Sequence, residues 1–446
     1  MTTLTLLIVI VFVVGYLCIA LESVTEINKA AIALLMCVGC WTLLMLSPAS
    51  YYPEIASTAV LHHVSAVIEH HLGDAAGTLF FLMGAMTIVE IVDSNGGFNF
   101  VRDTLKTRSK RKLLWRVAFM TFFLSAILDN LTTSIVMIMV LRKLVQSREE
   151  RLVYAALIII SANSGGAFSP IGDVTTIMLW IKGVITTQGV LTEIFLPSLV
   201  SMLVPAFILQ YSLSGKFDKG QNLPSVEVSA FTHRQRNTIF WLGVGGLMFV
   251  PVFKTLTHLP PFMGILLVLG VLWTTTEIFH HQLGEADAMA QRVSDLLSKI
   301  DLSTIMFFLG ILMAVAVLQE VGVLTALGEG LNTAFSGNNY LVCGIIGVLS
   351  SIVDNVPLVA GCMGMYPVAA EGAMAVDGIF WQLLAYCAGV GGSMLIIGSA
   401  AGVVVMGLEK ISFGWYLKKI TWIAFVGYLA GILCYWVERM IFFTGF

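Results

Sequence analysis

Long apolar runs separated by short polar connections dominate the chain. Runs of 15 to 25 apolar residues recur from Leu4 to Phe443, close to the ~20 residues that a helix needs to cross hydrocarbon. The pattern predicts an all-α polytopic protein with about ten membrane spans. The first three fall near Thr3–Leu21, Ile27–Leu46 and Thr78–Val92. Between the second and third, His62-His63 and His70-His71, flanked by Glu69 and Asp74, predict a short interfacial helix. Its histidines either face lipid headgroups or hold a metal, and the solvated face is the simpler reading.

Composition strengthens the membrane assignment. Of 446 residues, 58% are hydrophobic and 11% charged, whereas soluble domains carry roughly 25% charged residues. A net charge of -3 gives no reason to expect nucleic acid or an acidic partner. All seven cysteines lie in apolar segments, and the Cys37-x-x-Cys40 pair has no other ligand beside it. Inert packing is expected there rather than metal or redox chemistry. Met1–Ala20 has neither a basic leader nor a small-residue cleavage site, which predicts a retained first span. The expectation is a multi-pass protein of the plasma (inner) membrane, with lipid as its partner and no cofactor.

Lysine and arginine favour the cytoplasm in short loops. Arg102, Lys106, Arg108, Lys110, Arg111 and Lys112 form the densest cluster, and Arg142, Lys143, Arg148 and Arg151 the next. The two clusters bracket one apolar stretch, 113–141, with Asp129-Asn130-Leu131-Thr132-Thr133 at its middle. A single crossing cannot leave both ends on one side, so a re-entrant hairpin from the cytoplasm is predicted. A second stretch, 340–366, carries Asp354-Asn355-Val356-Pro357 and lies in a region, Ile300 to Lys410, with no Lys or Arg between those ends. This hairpin is expected to enter from the outside. Lys254 and Arg439 do not fit the rule neatly, and no Lys or Arg is expected at either hairpin tip.

Three landmarks repeat in order. Phe80-Phe81-Leu82 matches Phe307-Phe308-Leu309 at an offset of 227, Asp129-Asn130 matches Asp354-Asn355 at 225, and Gly165-Gly166 matches Gly391-Gly392 at 226. The glycine pairs lie inside apolar segments 152–182 and 382–409. Glycine and proline at that density interrupt a helix and free backbone polar groups. Unwound backbone persists at membrane depth only inside protein or along a wet cavity, and paired broken helices point to a transporter binding site. The opposite charge flanks of the two hairpins predict inverted halves.

An aspartate at bilayer depth costs about 2.5–3.5 kcal/mol on insertion scales and is usually functional. Asp129 and Asp354 therefore become ion-binding candidates, with Asn130, Thr132, Thr133, Asn163, Ser164, Asn355 and Ser393 as oxygen-bearing neighbours. A bound sodium ion would draw on Asp129, Asn130, Asn163, Asp354 and Asn355, since oxygen-rich ligands suit a hard cation. Asp173 is a third carboxylate, opposed in the repeat by Ser399; its plainer role is a cap on the second half-helix. Thr175 and Thr176 either add hydroxyls or bond back into their own helix. Glu90, Asp93 and Glu320 lie near span ends, where gating and simple solvation are alternatives. A low-dielectric site disfavours a charged carboxylate and a bound cation favours it, so one carboxylate can hold a proton or a cation in turn.

The runs Leu128-Asp129-Asn130-Leu131-Thr132-Thr133, Ser161-Ala162-Asn163-Ser164-Gly165-Gly166 and Ser169-Pro170-Ile171-Gly172-Asp173-Val174-Thr175-Thr176 resemble the NhaD-type sodium/proton antiporters. That family sits in the ion transporter superfamily, with arsenite pumps and dicarboxylate or citrate carriers. The resemblance implies a homodimer with a scaffold domain and an elevator-like transport domain built of hairpins and broken helices. It carries motif roles onto Asp129, Asn130, Thr132, Asn163, Asp173, Thr175, Thr176, Asp354, Asn355 and Ser399. Pro357 stands where the first half has Thr132, so the two halves are not chemically equal.

The expected organisation is an N-terminal scaffold at 1–77, a first repeat at 78–213, a cytoplasmic linker at 214–236, linking spans at 237–302 and a second repeat at 303–446. Exchange of Na+ (or Li+) for H+ is the function expected first, with no enzymatic activity. The alternatives are an arsenite, oxyanion or other small-anion carrier on the same scaffold, and a non-transporting membrane sensor.

Overall fold

The computed structural model describes residues 3–20, 22–56, 59–98, 101, 104–213, 215–217, 231–282, 292–352 and 354–442. Helices make up the regular structure of these residues. α1 (Thr3–Ala20) and α2 (Lys29–Met45) are the first two apolar segments, and Asn28 caps α2 by accepting from the Ala30 amide. α3 runs unbroken from Val60 to Ser94, so the histidine segment and the third span share one rod instead of forming two helices. No proline interrupts this stretch. A glycine costs about 1 kcal/mol relative to alanine, too little to stop a helix that buries most of one face beyond Ala75.

α4 (Lys110–Leu128) and α5 (Asn130–Leu144) meet at Asp129, whose φ of 90° turns the chain sharply. Both arms come back to one end. Lys110 Nζ pairs with Glu150 Oε1, Tyr154 Oη donates to the Lys110 carbonyl, and Arg151 donates to the Val145 carbonyl. α6 (Arg148–Ala167) and α7 (Val174–Lys182) form one interrupted helix, with Pro170 in the break. α8 (Phe195–Leu209), α9 (His233–Thr257), α10 (Pro261–Gln282), α11 (Leu302–Glu320) and the amphipathic α12 (Val323–Ala334) follow. The second helical hairpin is α13 (Asn339–Ser350) and α14 (Asn355–Met365). The second interrupted helix is α15 (Ile379–Gly391) and α16 (Ala400–Glu409), and α17 (Thr421–Phe442) closes the chain.

The helices pack in two groups. α2 lies along α1 and α11, and α3 along α9, α10 and α11. In the other group α4 and α5 pack on α6, α13 on α15, α16 on α5, and α8 on α17 and α6. α7 and α14 lie where the groups meet, touching α3 and α11 respectively. Among the described residues, six helices are long and apolar enough to cross a membrane, and α1 and α2 are slightly shorter apolar helices.

One end of the bundle gathers basic groups. Arg142 of α5 and Arg151 of α6 both donate to the buried Glu409 at the end of α16, at 2.6 Å each. At the opposite end Asp377 takes the Thr186 amide and hydroxyl. Lys254 donates to the Trp180 carbonyl there, and Arg439 pairs with Glu193 at 3.3 Å. The two exceptions to the charge rule thus have specific partners. Most of the expected linker 214–236, together with Arg102 and residues 283–291, lies outside the described residues.

Candidate ion-binding site

Each break leaves a helix N-terminus that a side chain caps. The Asp173 carboxylate accepts the Thr175 amide at 3.1 Å, and Ser399 Oγ accepts the Gly402 amide at 3.2 Å. Each hairpin turn places an asparagine first in its returning helix. Asn130 Nδ2 donates to Asp173 Oδ2 and to Asn163 Oδ1, both at 3.1 Å. Asn355 Nδ2 approaches the two Asp173 oxygens at 3.4 and 3.3 Å. Asn163 Nδ2 reaches Ser393 Oγ at 3.0 Å and Ser399 Oγ at 2.9 Å. Both tips and both breaks therefore converge on one network, whose six side chains are buried.

Asp173 both caps α7 and sits at the centre of that network. It is 1% exposed. Its hydrogen-bond partners among the described residues are carboxamides and a backbone amide, with no Lys, Arg or His. A buried carboxylate without a cationic partner is expensive and is relieved by a proton or a metal cation. The surrounding carboxamide and hydroxyl oxygens are hard donors of the kind that suit sodium. The buried hydroxyls of Thr133, Ser161 and Thr176 have no hydrogen-bond partner among the described residues, which leaves oxygen lone pairs free for a cation.

The other two carboxylates do not join the network by direct hydrogen bonds. Asp129 serves its own turn, accepting the Thr132 amide and hydroxyl at 2.8 Å each. Asp354 accepts the Val356 amide at 3.3 Å and pairs with Lys29 Nζ at 3.1 Å. A lysine does stand at a hairpin tip, contrary to the sequence expectation; it comes from α2, more than 300 residues away in the chain. Ser164 turns from the site and accepts from Ser201 of α8 at 2.9 Å. Glu320 takes Tyr52 and His71 at 2.7 and 2.8 Å, and Glu90 pairs with Lys299 at 3.3 Å. Asp93 lies one turn beyond Glu90 on α3.

A cavity of about 900 Å³ opens between α3, α7, α11 and α14 at the end opposite Arg142. His70, His71, Asp74, Lys182 and Glu320 line it, and Met178 at its wall lies little more than one turn along α7 from Asp173. Among the described residues, no group of three or more His, Cys, Asp or Glu side chains could hold a metal ion. The four histidines do not assemble one.

Sequence reasoning missed several supports. Ser125 Oγ donates to the Ala162 carbonyl at 2.6 Å, and Ser350 Oγ to the Ala388 carbonyl at 2.8 Å, an equivalent clasp of hairpin on broken helix in each half. A Cβ at Gly165 would overlap the Phe122 carbonyl, and one at Gly391 the Gly347 carbonyl. Glycine there permits the close approach. The 225–226 spacing of these pairs was readable in the sequence, though nothing marked the serines as donors. Lys29 had its own signal, being the sole Lys or Arg before Arg102.

Comparisons with known proteins agree with this architecture. Residues 16–385 match the CitMHS family, described as citrate transporters. Sodium/proton antiporter 1 of Arabidopsis thaliana is 46% identical over 96% of this chain and 71% of its own length. Sodium/proton antiporter 2 of the same plant is 42% identical, covering 96% and 98%. The Na(+)/H(+) antiporter NhaD of Alkalimonas amylolytica is 29% identical, covering 97% and 90%. The chain belongs to the NhaD-type antiporter family. This NhaD-type chain is a multi-pass membrane transporter, not an enzyme. The crystal structure of the Alcanivorax borkumensis YdaH transporter matches it with a TM-score of 0.62, over 92% of this chain and 98% of that one, at 11% identity. That likeness concerns the fold alone.

Proposed function

We propose that the protein exchanges Na+ (or Li+) for H+ across the membrane, with Asp173 as the shared binding carboxylate. The observation that carries this reading is a buried carboxylate, held by carboxamides from both hairpin tips and bonded to no cationic side chain among the described residues. A proton and a sodium ion each relieve the buried charge, and one displaces the other. Competition at one carboxylate yields exchange without an energy-transducing domain. The relatives' names, sodium/proton antiporters, support the same chemistry.

In this proposal Asn130, Asn163, Asn355, Ser393 and Ser399 orient the site, while Thr133, Thr175 and Thr176 supply further oxygens. Asp129 and Asp354 complete the negative field at the tips. The hairpins are re-entrant, the two halves are inverted repeats, and the basic end faces the cytoplasm. The helix group containing α4–α8 and α13–α17 moves as an elevator against the group of α1–α3 and α9–α11, which carries the homodimer contact. The cavity lined by His71 and Glu320 is the outer approach to Asp173.

Cation-induced proton movement in everted vesicles or proteoliposomes tests this reading. Sodium or lithium should collapse a preset pH gradient, and Asp173→Asn should abolish the response while the protein still inserts. Apparent sodium affinity should weaken as pH falls, by at most about tenfold per pH unit for one shared carboxylate. An affinity independent of pH would reject direct competition. Silence to monovalent cations with arsenite or citrate uptake would assign the site to an anion instead.

A further inference from the structure

The two hairpin tips satisfy their aspartates differently, and the difference originates in one residue. In the first tip Thr132, three residues after Asp129, gives both an amide and a hydroxyl to the carboxylate. In the second tip the same position is Pro357, which has neither group. Asp354 keeps one local donor, the Val356 amide on Oδ1, and its Oδ2 turns outward to Lys29.

Lys29 is not an ordinary place for a lysine. It is the first residue of α2, where the helix dipole disfavours a cation, and it begins an apolar span. Its ammonium lies 4.3 Å over the Phe307 ring of α11 while reaching the carboxylate. The Glu22 carboxylate accepts its backbone amide at 3.0 Å, and Tyr16 of α1 points its hydroxyl at the Asp354 carbonyl at 3.5 Å. α1, α2 and α11 thus hold the tip of a hairpin whose other neighbour, Asn355, touches Asp173. The ion pair crosses the seam between the two helix groups.

We propose that Lys29 is a tethered cation for Asp354. Its ammonium occupies the carboxylate while the helix groups are engaged as here, and the transported cation or a proton replaces it when they shift. Release of Lys29 is then one step of each exchange cycle, and Lys29 sets the apparent sodium affinity without itself binding substrate. This inference rests on the exchange reading above.

The test is the sodium half-saturation and turnover of exchange in proteoliposomes for wild type, Lys29→Gln, Lys29→Arg and the double variant Lys29→Gln/Asp354→Asn. Without the competing ammonium, Lys29→Gln should lower half-saturation by roughly five- to tenfold. Lys29→Arg should raise it, because a guanidinium grips a carboxylate bidentately. The double variant should not regain exchange, since the carboxylate itself is needed. Half-saturation unchanged in both single variants, movement in the same direction in both, or recovery in the double variant would overturn the proposal. If Lys29→Gln fails to insert, Lys29→Arg carries the test, and wild-type half-saturation there overturns it. A wild-type protein silent to sodium would instead defeat the exchange reading. The sodium midpoint of thermal stabilisation in detergent then decides for Lys29: opposite shifts in the two variants retain the tether, and no shift removes it.

Discussion

The two hairpins turn at the same Asp-Asn pair and bring their asparagines to the same carboxylate, yet their surroundings are arranged oppositely. The first keeps its cations at its base: Lys110 pairs with Glu150, and Arg142 joins Arg151 on Glu409. Its tip is self-contained, with Asp129 occupied by Thr132. The second hairpin has no Lys or Arg of its own, and Tyr366 donating to Gly328 and Cys343 contacting the Phe380 carbonyl secure its arms. Its tip takes a cation from α2. One tip therefore maintains its geometry locally, while the other depends on where the neighbouring helix group stands. Two hairpins with matching Asp-Asn turns but different supports can converge on one carboxylate while only one of them leans on the neighbouring helix group.

Removing what the tips share should have the largest effect. Asp173→Asn deprives both asparagines of their charged acceptor and should reduce exchange to background, with membrane insertion retained. Residual exchange near wild type would show that the tips hold the ion without Asp173. Next come the tip aspartates. Asp129→Asn and Asp354→Asn should each severely impair exchange, but they should differ in stability. An asparagine still caps a helix well, and its NH2 can donate to the Thr132 hydroxyl where the second carboxylate oxygen accepted from it, so Asp129→Asn keeps its local contacts and loses the charge. Asp354→Asn also leaves Lys29 without a charged partner at a half-buried position. Breaking a buried pair costs about 3–5 kcal/mol, and partial exposure reduces that to about 1–2 kcal/mol here. Thermal melting in detergent should rank Asp354→Asn below Asp129→Asn; equal melting would remove the asymmetry.

The shared frame of the two tips is legible in the sequence. The apolar runs, the Asp-Asn turns and the glycine breaks are local patterns, and the helices end where the chemistry of Asp129, Asp173, Asp354 and Ser399 caps them. The exchange of Thr132 for Pro357 was visible as well, though not its consequence. What sequence periodicity could not supply was convergence. Nothing in the spacing states that Asn130 and Asn355 meet on Asp173. The Lys29–Asp354 pair spans 325 positions and has no counterpart at Asp129 among the described residues. The unbroken α3 escaped because polar histidines interrupt the apolar pattern without breaking the backbone.

The asparagines should give a smaller and graded contrast. Asn130 bonds both Asp173 and Asn163, whereas Asn355 reaches Asp173 at longer distances. Loss of a residue that orients a metal ligand typically costs about 10–100-fold in affinity. Asn130→Ala should sit toward the upper part of that range in sodium half-saturation and Asn355→Ala toward the lower. The reverse order would place the ion nearer the second tip.

The smallest effect, and the sharpest on mechanism, is expected from Pro357→Thr. This substitution gives the second tip the donor pair of the first. Threonine at this first-turn position replaces a proline that the helix already tolerates, so the fold should be preserved. The new hydroxyl and amide would draw Asp354 toward its own turn, as Thr132 draws Asp129. Competition for the carboxylate then weakens the hold of Lys29 without removing its charge. Sodium half-saturation should fall in the same direction as in Lys29→Gln but by less, about two- to threefold, because the ammonium keeps its charge and only shares the carboxylate with the new donors. Combining Pro357→Thr with Lys29→Gln should add little, because both act on the same contact. Full additivity would mean that proline at the tip and lysine on α2 serve separate purposes, and the two tips would differ for a reason other than the missing donors.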